Sequence, residues 1–202
     1  MLDKGVMYRS GDALSSFAAL SCYNEQLSKE VRVAAHSALE LFGFNHYVPM
    51  GKPILMVACP NSSVPKWMLS NRFDRTIKPF STKMIDEPQT SIVQADGVDV
   101  LISAPEQAFM ECLLLAPKQY DYMDLYYIME QLTSLRAEVV QILLENVKNL
   151  RVKRLFLYMA EKAGHYWFDM LNRDKINIGA STQQLVNNGT YMSKYQITIP
   201  KK

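Results

Sequence analysis

The sequence predicts an α+β fold: one or more small mixed sheets, a bundle of about four helices, and strands that return at the C-terminus. Three observations predict it. An unbroken apolar run, Ile54-Leu55-Met56-Val57-Ala58-Cys59, is bounded by Gly51-Lys52-Pro53 and Pro60-Asn61-Ser62, the form of a strand buried on both faces. From Pro105 to Gly164 the pattern turns helical, with connections so short that successive helices must pack on one another. After Trp167 it reverts to strand-like segments separated by turn clusters. Strands followed by helices, rather than strict alternation, point to α+β.

Taken in order, Gly5 to Arg9 reads as a short strand and Asp12 as an N-cap for a helix over Ala13–Leu27, with Leu14, Phe17, Ala18 and Cys22 at helical spacing. Val31–Val33 is a brief strand, and His36–Phe42 a short helix stopped by Gly43. After the buried strand, Ser63 and Pro65 open a helix that runs to about Asn71, and Arg75–Phe80 is another strand. The clearest hairpin joins Ile92–Ala95 to Val98–Ile102 through Asp96-Gly97, a pair suited to the two positive φ values of a type I′ turn. Ser103 and Glu106 have capping-box spacing around Pro105. The helix they open turns Phe109, Cys112, Leu113 and Ala116 inward and ends at Pro117. Helices over Tyr120–Leu132 and Leu135–Val147 follow, the second with Glu138, Gln141 and Glu145 on its wet face.

Leu150–Phe168 organises the helical half. Val152, Leu155, Phe156, Met159, Ala160 and Ala163 recur on one helix face, and Gly164 suits a left-handed C-terminal cap. Arg151, Arg154, Tyr158 and Lys162 lie opposite, with Lys148 a turn earlier, so the expected helix has one core face and one basic face. Ile176–Ile178, Gln184–Val186 and Tyr195–Ile199 are the returning strands.

A chain of 202 residues, 49% hydrophobic and 21% charged, holds a sizeable core. The net charge of +2 gives no global case for nucleic acid, so any basic surface is local. Lys148, Arg151, Lys153 and Arg154 lie within seven positions; with Lys194 near the C-terminus they are the candidate nucleic-acid or partner-binding residues, beside Lys201 and Lys202. A solvated helix face is the alternative for them. Trp67, Tyr191 and Tyr195 are candidate additional contacts or simply core. Cys22, Cys59 and Cys112 read as reduced thiols, and with neither a signal-peptide pattern nor an apolar run of membrane length the expected location is the cytoplasm.

Chemistry is sparse. There is no Gly-rich phosphate loop, His-Glu-x-x-His, Cys-x-x-Cys or Gly-x-Ser-x-Gly pattern, and no metal or cofactor is expected. His36 and His46 flank a short helix and could face each other in a structural role; His165 suits a helix C-terminus. Asp86, Glu87, Asp96, Asp99 and Glu106 could serve a metal-dependent nuclease, although Asp96 is explained by the turn and Glu106 by the cap. A protein-interaction module is the third possibility.

An ordered series of segments resembles the AbiEi-family antitoxins and transcriptional regulators of type IV toxin–antitoxin (abortive infection) systems. They are Ala38–Phe44 followed by His46–Gly51, Val64–Trp67, Ser103–Ala108, Glu130–Arg136, Lys153–His165 and Lys194–Pro200, and together they span nearly the whole chain. The resemblance implies an N-terminal winged helix that represses the operon by binding DNA. It also implies a C-terminal domain that neutralises a nucleotidyltransferase-like toxin, and it supplies no catalytic residues. On this reading residues 1–27 are a remnant of the winged-helix domain (its wing) with a linker helix, the helices before the wing being largely missing. Residues 28–202 are the antitoxin domain.

Overall fold

The computed structural model describes residues 15–44, 51–60, 64–187 and 189–199. The expected strand over Gly5–Arg9, the Asp12 and Ser63 caps, His46, Lys201 and Lys202 lie outside them. The chain forms two compact units, one from Met1–Lys83 with Glu87–Ala108, the other from Met84–Asp86 with Phe109–Lys202.

The first unit is built on a five-stranded sheet. Its strands are β1 (Arg32–Val33), β2 (Ile54–Cys59), β3 (Thr76–Ser81), β4 (Thr90–Ala95) and β5 (Val98–Ser103), in spatial order β3-β2-β1-β5-β4. The apolar run predicted as a doubly buried strand is β2, buried from Leu55 to Cys59. The two-residue β1 sits at the centre, where Val33 pairs with Val57 antiparallel on one side and with Ile102 in parallel on the other. The predicted hairpin is β4–β5: Ala95 pairs with Val98, and Asp96 and Gly97 take φ of 50° and 78°, as a type I′ turn requires. Helix α1 (Ser16–Leu27) packs on β5 and buries Phe17, Leu20 and Tyr23. Its cap is Ser15, whose Oγ accepts from the Ala18 amide at 3.3 Å, so the helix starts three residues later than Ala13. After α1, the Asn24 side chain clamps both backbone groups of Val31 and sets the chain into β1. Helix α2 (Ala35–Leu41) is tied to β2 through Ser37 Oγ, which accepts from the Met56 amide at 2.9 Å. The expected helix after Pro65 is a single 3₁₀ turn, Lys66–Leu69, holding Trp67 between Tyr23 and Phe73.

Ser103 lies two residues before the first helical residue, Pro105. It ends β5, and its Oγ accepts from Arg32 Nε at 2.9 Å in the buried interior. The first helical bond, 2.8 Å long, closes from the Ala108 amide onto the Ala104 carbonyl.

In the second unit the four predicted helices are present: α3 (Pro105–Leu115, shared across the boundary), α4 (Tyr122–Gln131), α5 (Ala137–Asn146) and α6 (Leu150–Ala163). Phe109, Cys112, Leu113 and Ala116 are buried as expected. Phe109 meets Phe156 edge-on at 5.8 Å, and Phe156 in turn contacts Trp167 at 5.9 Å. Helix α6 ends in Gly164 at φ 70°, the left-handed cap the sequence predicts. A one-turn helix, α7 (Tyr166–Asp169), follows. A small sheet of β6 (Gln183–Gln184), β7 (Thr190–Met192) and β8 (Ile197–Ile199), ordered β6-β8-β7, completes the unit. The fold is therefore α+β, with mixed sheets, a helical bundle and strands at the C-terminus. Ile176–Ile178, expected as a strand, joins neither sheet.

Candidate partner-binding surface

The five candidate basic residues all belong to the second unit, and they fall into two groups. Lys148 and Lys194 reach solvent. The Lys148 Nζ lies 2.5 Å from Asp86 Oδ1, with side chains 58% and 77% exposed, and its amide is fixed by the Met84 carbonyl. The Lys194 ammonium donates to Glu161 Oε1 and remains half exposed. Glu161 also accepts from the Tyr195 hydroxyl at 2.9 Å, with Arg173 4.0 Å away. Burial alone would raise the Glu161 pKa. The hydrogen bonds from Lys194 and Tyr195 and the charges of Lys194 and Arg173 outweigh burial and hold it below the ordinary carboxylate range. The Tyr195 hydroxyl is pushed up, first by burial and then by its bond to that carboxylate.

Arg151, Lys153 and Arg154 are turned to other work. Arg151 donates from Nη1 to the Ala116 carbonyl at 2.6 Å and from Nη2 to that of Leu114 at 2.8 Å, closing the C-terminal end of α3. The Lys153 Nζ reaches the carbonyls of Glu145, in the last turn of α5, and of Asn177 at 3.2 and 3.3 Å; burial lowers its pKa. Arg154, only 1% exposed, donates to the carbonyls of Ile178 at 2.8 Å and Gln196 at 3.2 Å. The expectation of a solvent-facing basic side on α6 is thus corrected at Lys153 and Arg154. The reason is topological. The chain after α7 runs back across that side, and its main-chain acceptors take these side chains as donors in partly buried bonds. Gly179 passes so close that an added Cβ would lie 2.7 Å from Leu150 Cδ1. The same bonds explain why Ile176–Ile178 is not a strand, since carbonyls that would enter a ladder are taken by Lys153 and Arg154.

Two further cations of this unit are Lys162 and Arg173. Lys162 Nζ stands 4.2 Å from the Tyr126 ring centroid and 5.9 Å from that of Tyr158. Arg173, on the 3₁₀ turn Arg173–Lys175, is half exposed and was not singled out by sequence reasoning, for an isolated Arg in a polar stretch gives no periodic signal. Tyr191 is exposed, whereas Trp67 and Tyr195 are core residues.

His165 closes a helix end, but not its own. Its Nε2 donates to the Met129 carbonyl at 2.6 Å, and its ring stacks on Trp167, whose Nε1 donates to the Leu132 carbonyl at 2.8 Å. Both carbonyls belong to the C-terminal end of α4. His36 lies 3.3 Å from Glu40 along α2.

Four of the five acidic residues considered for a nuclease have separate places, Glu87 being the other. Asp86 meets Lys148, Asp96 meets Arg75 and the Ser15 hydroxyl, Asp99 accepts from Gln94, and Glu106 is buried in the first turn of α3. Among the described residues no three His, Cys, Asp or Glu side chains gather as a metal-binding group. All three cysteines are free thiols, with burial pushing Cys59 up to about 11. Among the described residues no helix is long and apolar enough to cross a membrane.

Residues 52–200 match a family model described as "Transcriptional regulator, AbiEi antitoxin, Type IV TA system". Residues 1–50 match a second, "Transcriptional regulator, AbiEi antitoxin N-terminal domain", so the two matched regions meet between residues 50 and 52. No curated protein matches the chain. Among solved structures, the crystal structure of the RV2827C protein from Mycobacterium tuberculosis aligns over 89% of this chain with a TM-score of 0.60 and 12% identity. At that identity it shows the fold alone, and the alignment spans 66% of that protein, just under two thirds of its length.

Proposed function

Because this chain belongs to the AbiEi antitoxin family of type IV toxin–antitoxin transcriptional regulators, we propose that it acts by binding, without catalysis, to neutralise a nucleotidyltransferase-like toxin in the cytoplasm. Repression of its own operon goes with the N-terminal region, residues 1–50, that matches the family's N-terminal domain. In this reading residues 1–27 belong to the DNA-binding part, and residues 28–202 carry the antitoxin activity. The observation that carries the proposal is the family match running through residues 52–200, which takes in both the helical bundle and the C-terminal sheet. Asp86, Asp96, Asp99 and Glu106 of the competing nuclease reading are taken up in an ion pair, a turn, a cross-strand contact and a helix start, and no three of the described acidic, His or Cys side chains gather as a metal group.

We assign contact with nucleic acid or toxin-related partner to Lys148 and Lys194, whose ammonium groups reach solvent. Arg151, Lys153 and Arg154 hold the surface in shape by satisfying main-chain carbonyls. Co-expression with the toxin of the same operon tests the antitoxin role. Growth is expected to be restored by the chain; unrelieved toxicity, with the protein present and folded, sinks the assignment.

A further inference from the structure

The two edges of the five-stranded sheet are β3 and β4, and they are guarded differently. Strand β3, Thr-Ile-Lys-Pro-Phe-Ser, carries Lys78 and Pro79, the two residue types that most often keep a free edge from pairing. Strand β4, Thr-Ser-Ile-Val-Gln-Ala, has neither, and no charge at all. Its hydrogen-bonding register follows from the turn. In a two-residue hairpin the closing pair, Ala95 and Val98, exchanges both backbone bonds, and such pairs alternate along the ladder. Ser91, Val93 and Ala95 therefore direct their N–H and C=O groups to β5. Thr90, Ile92 and Gln94 direct theirs outward, where β4 has no neighbouring strand among the described residues. These three also form the exposed side-chain row of the strand, with Ile92 68% exposed. One exposed isoleucine is ordinary on a protein surface. An exposed isoleucine at the middle of an unguarded edge, with its own amide facing out, is a pairing site.

We propose that β4 joins two copies of this chain, antiparallel, about a two-fold axis through Ile92. A dyad perpendicular to the sheet demands that residues facing one another share a face, so Ile92 opposes Ile92 of the second copy and Thr90 opposes Gln94. These are the outward-directed residues, and the pairing supplies about six backbone hydrogen bonds. The strand matches itself: isoleucine packs on isoleucine, threonine meets glutamine, and no like charges face each other across the axis. The nearby carboxylates are already engaged, Asp99 with Gln94 and Asp96 with Arg75. The inference concerns assembly alone and stands whether or not the antitoxin reading does.

Sedimentation or light scattering on the full chain, over roughly 1 to 300 µM, tests it. The weight-average mass is expected to climb from 23.1 kDa towards twice that value. Ile92→Lys and Ile92→Glu each set like charges on the dyad, so each variant alone stays at one chain mass. Mixed one to one, they regain the doubled mass because opposite charges then meet. Both leave the hairpin's internal ladder intact, which circular dichroism verifies. A wild-type mass constant at 23.1 kDa throughout overturns the proposal and leaves β4 to a strand of some other protein. A doubled mass that survives Ile92→Lys, or a mixture that does not associate, also overturns it.

Discussion

At the scale of single residues, the lesson lies in where the positive charges of α6 are spent. Arg154 is among the largest fully buried side chains of the protein, and its guanidinium serves two main-chain carbonyls. Arg154→Ala removes charge-assisted donors and the packing of a buried side chain, and leaves two partly buried carbonyls without them, which together cost about 2–3 kcal/mol. Arg154→Lys does not recover the loss, since one ammonium cannot reproduce a planar fork. Urea unfolding monitored by circular dichroism measures both; a change below about 0.5 kcal/mol for the alanine variant contradicts this account. None of this was legible from residue type. Sequence periodicity locates a residue on a helix face, and a basic residue on a polar face looks the same whether it meets water or a stretch of returning backbone. The identity of the cap of α1 shows the same limit: Asp12 and Ser15 are both good caps, and Ser15 takes the role because its hydroxyl reaches the Ala18 amide.

At the scale of elements, local sequence decided a good deal. The β2 run, the Asp-Gly hairpin, the four helices and the Gly164 cap all follow from short-range rules about burial, turn geometry and positive φ. Gly164 sits at φ 70° with open space around the site of an added Cβ, so Gly164→Ala incurs backbone strain without a steric clash. The expected loss is about 1 kcal/mol, read as a lower urea midpoint at unchanged slope. A variant as stable as the parent would mean that the left-handed cap is not required. Elements that depend on distant partners were not legible. Ile176–Ile178 has strand-like composition, yet its neighbourhood offers Lys153 and Arg154 rather than a strand edge. The β7 strand lacks an apolar run, and it exists because Thr190–Met192 find β8. His165 and Trp167 finish α4 from 36 and 35 residues away, a service that no local capping rule describes.

At the scale of the whole molecule, the family assignment and the surface chemistry lead to one division among the five candidate residues. Lys148 and Lys194 form exposed ion pairs, which contribute little to stability, so their removal separates binding from folding. Replacing both by Ala is expected to leave unfolding within about 0.5 kcal/mol of the parent. If the surface meets phosphates, a filter-binding salt titration shows the slope of log K against log salt falling by up to roughly one unit per lost contact. An unchanged slope would leave these lysines as solvated surface.

The sequence by itself determined the α+β class, the helical bundle and its core-facing residues, the hairpin, and membership of an antitoxin family. It did so because burial periodicity, turn chemistry and ordered motifs are local properties of a chain. Tertiary contacts decided which of the five candidate basic residues reach solvent. That choice turns on where the C-terminal segment lays its carbonyls, and a carbonyl is carried by every residue alike. The buried face of Lys153 and Arg154 is the result: charge drawn inward by main-chain carbonyls, while Lys148 and Lys194 stay at the surface in exposed ion pairs.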